Sequence, residues 1–287
     1  MNKYLSLVKF SHTIFALPFA LVGYFIGLAS THHSLDMMLL LKVILCMVFA
    51  RNAAMAFNRY LDRDIDSENE RTVTREIPAG KITPAQALLF VMLNVILFII
   101  VTYYINPLAF YLSPIALLVV LGYSFTKRFT SLCHFVLGIG LSLAPIGAYI
   151  SVTGHFALIP VLYGIAVLFW VSGFDIIYAL QDEDFDNAHG LHSIPVVLGR
   201  TRALMFSNLL HICTALIILY SGYLMSQQFV ELQYLHWIGA AVFIALLVYQ
   251  HSLVKPNDLS NINLAFFTTN GLASLVFGVM LILDFLT

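Results

Sequence analysis

The stretch Asn58–Thr83, NRYLDRDIDSENERTVTREIPAGKIT, sets Asp62, Asp64, Asp66, Glu68 and Glu70 beside Arg59, Arg63, Arg71, Arg75 and Lys81. The chain around it is only 10% charged and 60% apolar. That apolar share exceeds the roughly 45–50% of soluble domains, and the mean hydropathy is +0.90. Lipid is therefore the main solvent, and the chain reads as an integral membrane protein whose charge is concentrated for a reason.

Outward from this stretch, a ruler of about 20 apolar residues per crossing marks nine spans. They fall near 10–30, 38–57, 85–104, 108–125, 133–153, 157–180, 203–225, 234–252 and 263–286. The first follows Lys3 and Lys9 and runs too far for a signal-peptide core. Pro18, Pro107, Pro114, Pro145 and Pro160 lie in or beside spans, where neighbouring helices satisfy the freed backbone groups. Cys46, Cys133 and Cys213 are scattered through apolar segments without a C-x-x-C spacing, so neither a disulfide framework nor a thiolate metal site is expected.

Thirteen of the fourteen Lys and Arg residues fall on one side of this topology, leaving Lys42 opposite. By the positive-inside rule that side and the N-terminus are cytoplasmic. The C-terminus is then outside, in a multi-pass protein of the inner, or cytoplasmic, membrane. Twelve of the fifteen acids share the charged face, with Asp36, Glu231 and Asp284 elsewhere.

The second span runs into the opening stretch without a breaker. At 100° per residue Arg51, Asn58, Asp62 and Asp66 fall within an arc of about 80°, and Asp64 points away. The sixth span ends in GFDIIYALQDEDFDNAHG, residues 173–190, where Asp175, Tyr178, Asp182 and Asp186 share a face and Asp184 does not. EIPAGKIT at 76–83 resembles SIPVVLGRT at 193–201 at a similar offset, which suggests two related halves. Both acidic faces would then converge on one cavity.

Carboxylates four residues apart repel unless a positive charge lies between them. Two such pairs, with an Asn58 amide and no Cys or His in register, favour Mg²⁺ over softer ions. Basic residues beside them suit phosphate oxygens. An isolated charge run is more often a solvated, salt-bridged loop, and that reading is kept for Asp64, Glu68, Glu70, Glu76, Glu183 and Asp184. The duplicated spacing at two membrane exits argues against it for the other acids.

Four segments resemble the UbiA superfamily of membrane prenyltransferases: NRYLDRDID at 58–66, RTVTREIPAG at 71–80, YSFTK at 123–127 and YALQDEDFD at 178–186. The resemblance implies one all-α domain over residues 1–287, with nine transmembrane helices around a central cavity. Cytoplasmic loops near 58–84 and 181–202 would cap it. It implies Asn58, Asp62, Asp66, Asp182 and Asp186 as Mg²⁺ and diphosphate ligands, with Arg71 and Lys127 on diphosphate oxygens. Tyr123, on the face of Lys127, and Arg75 are further substrate-binding candidates. The implied reaction ionises a polyprenyl diphosphate, and an electron-rich aromatic carbon attacks the allylic cation. Arg51 could hold the acceptor's carboxylate, with Lys9 a second candidate. Tyr178 is a candidate for the donor, and Asp175, costly at its depth, is a catalytic candidate as a cavity-lining acid or acceptor-site group; the ring proton needs a base, for which one of the cavity carboxylates could serve.

KFSHTIFALPFAL at 9–21 and GFDIIYALQDEDFD at 173–186 look most like 4-hydroxybenzoate polyprenyltransferases of quinone (ubiquinone-type) synthesis. A naphthoate acceptor of the menaquinone route is the alternative. The lipid bilayer is the third partner, and no nucleic acid is expected. His12, His134 and His189 read as hydrogen-bonding or packing residues. Lys42 reads as an outer-interface side chain, and Asn94, Asn208 and Asn270 as helix bridges. A transporter is a rival from another class, but its charges belong near the bilayer midplane or on both faces.

Overall fold

A computed structural model describes residues 2–8 and 15–287; Lys9 and His12 lie outside the described residues. Among those described, every extended element is helical, and one isolated bridge pairs Lys255 with Asp258. In chain order the helices are α1 Asn2–Leu7, α2 Leu17–Thr31, α3 Met37–Leu61, α4 Arg63–Glu68, α5 Pro84–Tyr103, α6 Pro107–Thr126 and α7 Cys133–Thr153. They continue with α8 Leu158–Ala179, a 3₁₀ turn Leu180–Asp182, α9 Glu183–Ala188, α10 Ile194–Gln228 and α11 Leu235–Leu253. A π-turn, Leu264–Thr269, then opens α12, Asn270–Leu286.

Local signals start these helices where they are needed. Thr83 and Gln86 form a capping box around Pro84 at α5, and Asn106, followed by Pro107, caps α6. Asp36 accepts from the backbone N–H groups of Met38 and Leu39 at the head of α3. Near the C-terminal end of α12, Asp284 accepts from the Gln233 and His236 backbone N–H groups and pairs with the buried His236 ring at 2.5 Å. One of the three acids expected outside the charged face is thus a buried helix cap.

Among the described residues eight helices are long and apolar enough to cross a membrane; the fifteen-residue α2 is shorter. Of the first expected span, residues 10–14 lie outside the described residues, and α2 begins at Leu17. The expected span 203–225 becomes α10, which begins nine residues earlier because its first turn is joined to the rest through Gly199 at φ 71°. The likeness between EIPAGKIT and SIPVVLGRT also fails in conformation. The first is a run of turns ending at Gly80, and the second is the head of α10.

α8 occupies the middle, packed against α7 and α10. Val167, Trp170 and Val171 are fully buried there, among Phe19, Phe243 and Phe277. α2 crosses α7 backbone to backbone, since a Cβ on Gly23 would stand 2.1 Å from the Pro145 carbonyl oxygen. Small residues allow such approaches where lipid offers no hydrophobic drive between helices. Asn52 donates to Asn94 across α3 and α5 at 3.2 Å, and Trp170 donates to Asn270 at 2.8 Å, so two of the three expected bridges involve other helices.

Candidate active site

α3 ends at Asp62, but the turn continues: Asp62 N–H donates to Asn58 O and Asp66 N–H to Asp62 O. The helical register of 58, 62 and 66 therefore survives the break into α4. Asp62 and Asp66 are 2% and 3% exposed, whereas the Asp64 side chain stands out in solvent. At the end of α8, Asp182 and Asp186 are half-buried and Asp184 is exposed. The turn-by-turn periodicity separates inner from outer acids at both exits.

The two acidic ends meet over one cavity of about 1270 Å³. Asn58, Asp62, Asp66, Arg71, Arg75, Lys127, Tyr178, Asp182 and Asp186 line its mouth, and Arg51, Tyr123 and Asp175 its deeper part. Lys9 lies outside the described residues. The join between the halves is Arg71, whose Nε and Nη2 donate to the two Asp182 oxygens at 2.9 and 2.5 Å while Nη1 donates to the Tyr178 hydroxyl at 3.2 Å. Asn69 adds a bond to Asp182 at 3.3 Å.

Asp62 gathers three donors: Lys127 Nζ at 3.0 Å, Arg128 at 3.1 Å and the Asn58 amide at 3.0 Å. Asp66 Oδ1 accepts from Arg75 at 2.6 Å. Its Oδ2 is buried without a hydrogen-bond partner, 4.0 Å from Arg59 Nη1, which is itself unpartnered. Burial, then Asp182, push the Asp186 carboxyl up to about 6 against the opposing pull of Lys127 and Arg71.

Among the described residues no three acidic, His or Cys side chains are gathered as a ready-made cation cage. Three of the four aspartates expected to share Mg²⁺, namely Asp62, Asp66 and Asp182, instead take basic partners. The reason is electrostatic: carboxylates withdrawn from water need counter-charge, and the nearest supply is Arg71, Arg75, Lys127 and Arg128.

Several residues escaped the sequence reading. Glu76, expected in solvent, is 7% exposed and accepts from the Ser6 hydroxyl. Arg59 is 5% exposed and lines the cavity. His134, read as a hydrogen-bonding or packing residue, pairs with Asp175 at 2.7 Å, a partner the reading did not name. Arg128 had a signal, its place beside Lys127; Glu76 and His134 had none, because their partners lie 70 and 41 residues away in sequence. Outside the cavity, Glu68 pairs with His189, and Arg200 with Glu183 and Asp184. Lys42 donates to the Tyr104 carbonyl.

A second cavity of about 310 Å³ is almost wholly apolar and reaches from Arg51 and Tyr123 past Val43, Phe98 and Ile150. It shares Arg51, Met55, Tyr123, Leu137 and Leu141 with the polar one. An ionic chamber and an apolar channel thus meet at a common wall. That pairing suits a molecule with a charged head and a hydrocarbon tail.

Comparison with known proteins follows the same line. The profile of the UbiA prenyltransferase family matches residues 16–272. A 4-hydroxybenzoate octaprenyltransferase of Tolumonas auensis is 33% identical over 244 residues, covering 84% of this chain and 83% of that one. Its counterpart in Aeromonas salmonicida is 33% identical, covering 88% and 84%. Among solved structures, the apo UbiA homolog from Aeropyrum pernix K1 superposes with a TM-score of 0.83 at 29% identity, over 95% of this chain and 98% of that one. A UbiA homolog from Archaeoglobus fulgidus, solved with GPP and Mg²⁺, shares the fold at a TM-score of 0.71 and 22% identity, over 99% and 100%.

Proposed function

The chain belongs to the UbiA prenyltransferase family and is an integral membrane enzyme, and from that premise we propose that it transfers a polyprenyl group from its diphosphate to 4-hydroxybenzoate in ubiquinone-type quinone synthesis. One observation carries the reading: two acidic helix ends face each other across a chamber that shares a wall with an apolar channel. The names of the relatives, each 4-hydroxybenzoate octaprenyltransferase, support this acceptor over a naphthoate. The whole chain forms one domain. α2 is the first of nine spans, and the acidic ends are cytoplasmic in the inner membrane, as the sorting of Lys and Arg supports.

A divalent cation fits the donor set. It consists of hard oxygens, one of them the buried, unpartnered Asp66 Oδ2. Asp62, Asp66, Asp182, Asp186 and the Asn58 carbonyl would hold Mg²⁺, the ion with which the Archaeoglobus fulgidus homolog of the same fold was solved. When bound, the ion neutralises charge building on the leaving diphosphate.

The chain's own residues do the rest. Arg71, Arg75 and Lys127 exchange their carboxylates for phosphate oxygens, a trade that guanidinium geometry favours. The apolar channel takes the tail and keeps water from the allylic carbon. Arg51, whose Nε is buried without a partner, holds the acceptor's carboxylate at the junction. Tyr123 lines both cavities beside Arg51, where the donor and the acceptor would meet.

Because the Asp186 carboxyl lies near 6, its protonated form dominates below that pH and competes with the cation. The Mg²⁺ concentration for half-maximal rate is expected to rise about tenfold for each pH unit below 6. In Asp186→Asn this slope should flatten. Acceptor identity is tested with purified protein, Mg²⁺ and a polyprenyl diphosphate, offering 4-hydroxybenzoate and a dihydroxynaphthoate in parallel and weighing products by mass spectrometry. Prenylated benzoate is expected; prenylated naphthoate alone would move the enzyme to the menaquinone route.

A further inference from the structure

Asp175 lies on the inner face of α8 seven residues before Asp182, about 10 Å deeper along the axis. Its Oδ2 sits 2.7 Å from His134 Nδ1 on α7. The other ring nitrogen, Nε2, accepts from the Ile194 backbone N–H at 3.3 Å, where α10 begins. A ring nitrogen that accepts carries no proton, so the proton is on Nδ1 and is donated to Asp175. The head of α10 therefore fixes the tautomer, and the tautomer fixes the carboxylate. Oδ1 has no protein donor among the described residues, and the side chain is 24% exposed to the cavity.

Beside it stands a wall of aromatic rings. Tyr178 stacks on Phe266 with centroids 4.0 Å apart, and Phe174 meets Phe266 edge-on at 5.4 Å. Phe266 belongs to the π-turn, whose loosened carbonyls are satisfied by the side chains of Thr269 and Asn270. π-turns often mark functional positions. This one sets Phe266 and Phe267 on the cavity wall.

Resting on the prenyl-transfer reading above, we propose that Asp175 is the proton acceptor of the reaction, with His134 as its positioning residue and the Tyr178–Phe266 pair as the surface on which the acceptor ring lies. The ring's hydroxyl donates to Asp175 Oδ1, and the carbon beside that hydroxyl faces the donor's first carbon. The new C–C bond forms there as the C–O bond to diphosphate breaks, its electron pair leaving with the phosphate. The proton displaced from that ring carbon passes to Oδ1, which restores aromaticity, and then to water in the polar chamber. No other reactant is needed.

The test uses the full-length protein in detergent with Mg²⁺ and ring-deuterated or ordinary 4-hydroxybenzoate, measuring product in a single turnover and diphosphate released without acceptor. Asp175→Asn is expected to slow product formation about 100-fold and to show a deuterium effect that the wild type lacks, while donor KM changes little. His134→Leu should lower the rate about tenfold, and His134→Asn, which keeps a donor near the place of Nδ1, should recover much of it. An Asp175→Asn enzyme with wild-type turnover, or one that loses acceptor-free diphosphate release in step with product, would overturn the assignment while prenyl transfer stands. A wild type that releases diphosphate yet prenylates no aromatic acid would overturn the function itself, and the assignment with it.

Discussion

Alanine in place of Asp182 is expected to lower kcat by roughly 10²- to 10³-fold while the helix bundle stays folded. Asp182 takes both arms of Arg71 and a bond from Asn69, and it is one of four acids proposed to carry the cation. Its loss removes a ligand and also frees Arg71, the link between the two acidic ends. Its side chain is 18% exposed and that of Arg71 is 32% exposed, so water can replace the broken ion pair at small cost to the fold. Single-turnover rates beside a thermal unfolding curve check this. A large fall in rate should accompany an unfolding midpoint within a few degrees of the wild type.

Asp62→Ala should be equally inactive but should also unfold more easily, by about 1–3 kcal/mol. Asp62 is 2% exposed and is the shared counter-charge for Lys127 and Arg128. Removing it leaves two cations and the Asn58 amide facing a space without an acceptor. Lys127 and Arg128 keep 30% and 37% of their side-chain exposure, so both can turn to water. That places the cost below that of a fully buried pair. Tryptophan fluorescence during heating in detergent reports the loss, and Asp62→Asn, which keeps an acceptor oxygen, should recover stability without activity.

The two positions carry the same letter in the same D-x-x-x-D spacing, and their different depth was not legible in it. What periodicity did resolve was direction: Asp62 and Asp66 inward with Asp64 outward, Asp182 and Asp186 inward with Asp184 outward. Direction depends only on 100° per residue, which the backbone bonds from Asp62 to Asn58 and from Asp66 to Asp62 preserve across a helix break. The apolar spans were legible for the same kind of reason, since crossing lipid sets both length and composition.

Other features depended on distant partners. Glu76 looked like part of a solvated charge run until Ser6, at the other end of a 70-residue separation, closed over it. His134 had no sequence mark of its union with Asp175, because α7 and α8 bring the two together only in the bundle. The π-turn in LAFFTT has the composition of any apolar helix. It is held by Thr269, by Asn270 and through Asn270 by Trp170, a hydrogen-bond chain that joins two helices. The early start of α10 lay outside the span expected at 203–225, because Gly199 kinks the helix between its first turn and the apolar run.

The proposed function has both acidic ends act on one diphosphate through a divalent cation. Its most direct measurement is the affinity of the purified wild type for a non-ionisable polyprenyl thiolodiphosphate, titrated with Mg²⁺ and with a chelator, beside Asp66→Asn and Asp186→Asn. Tight binding is expected only with Mg²⁺, weakened by at least tenfold by either substitution. Equal affinity with and without the cation, unchanged in both variants, would contradict it.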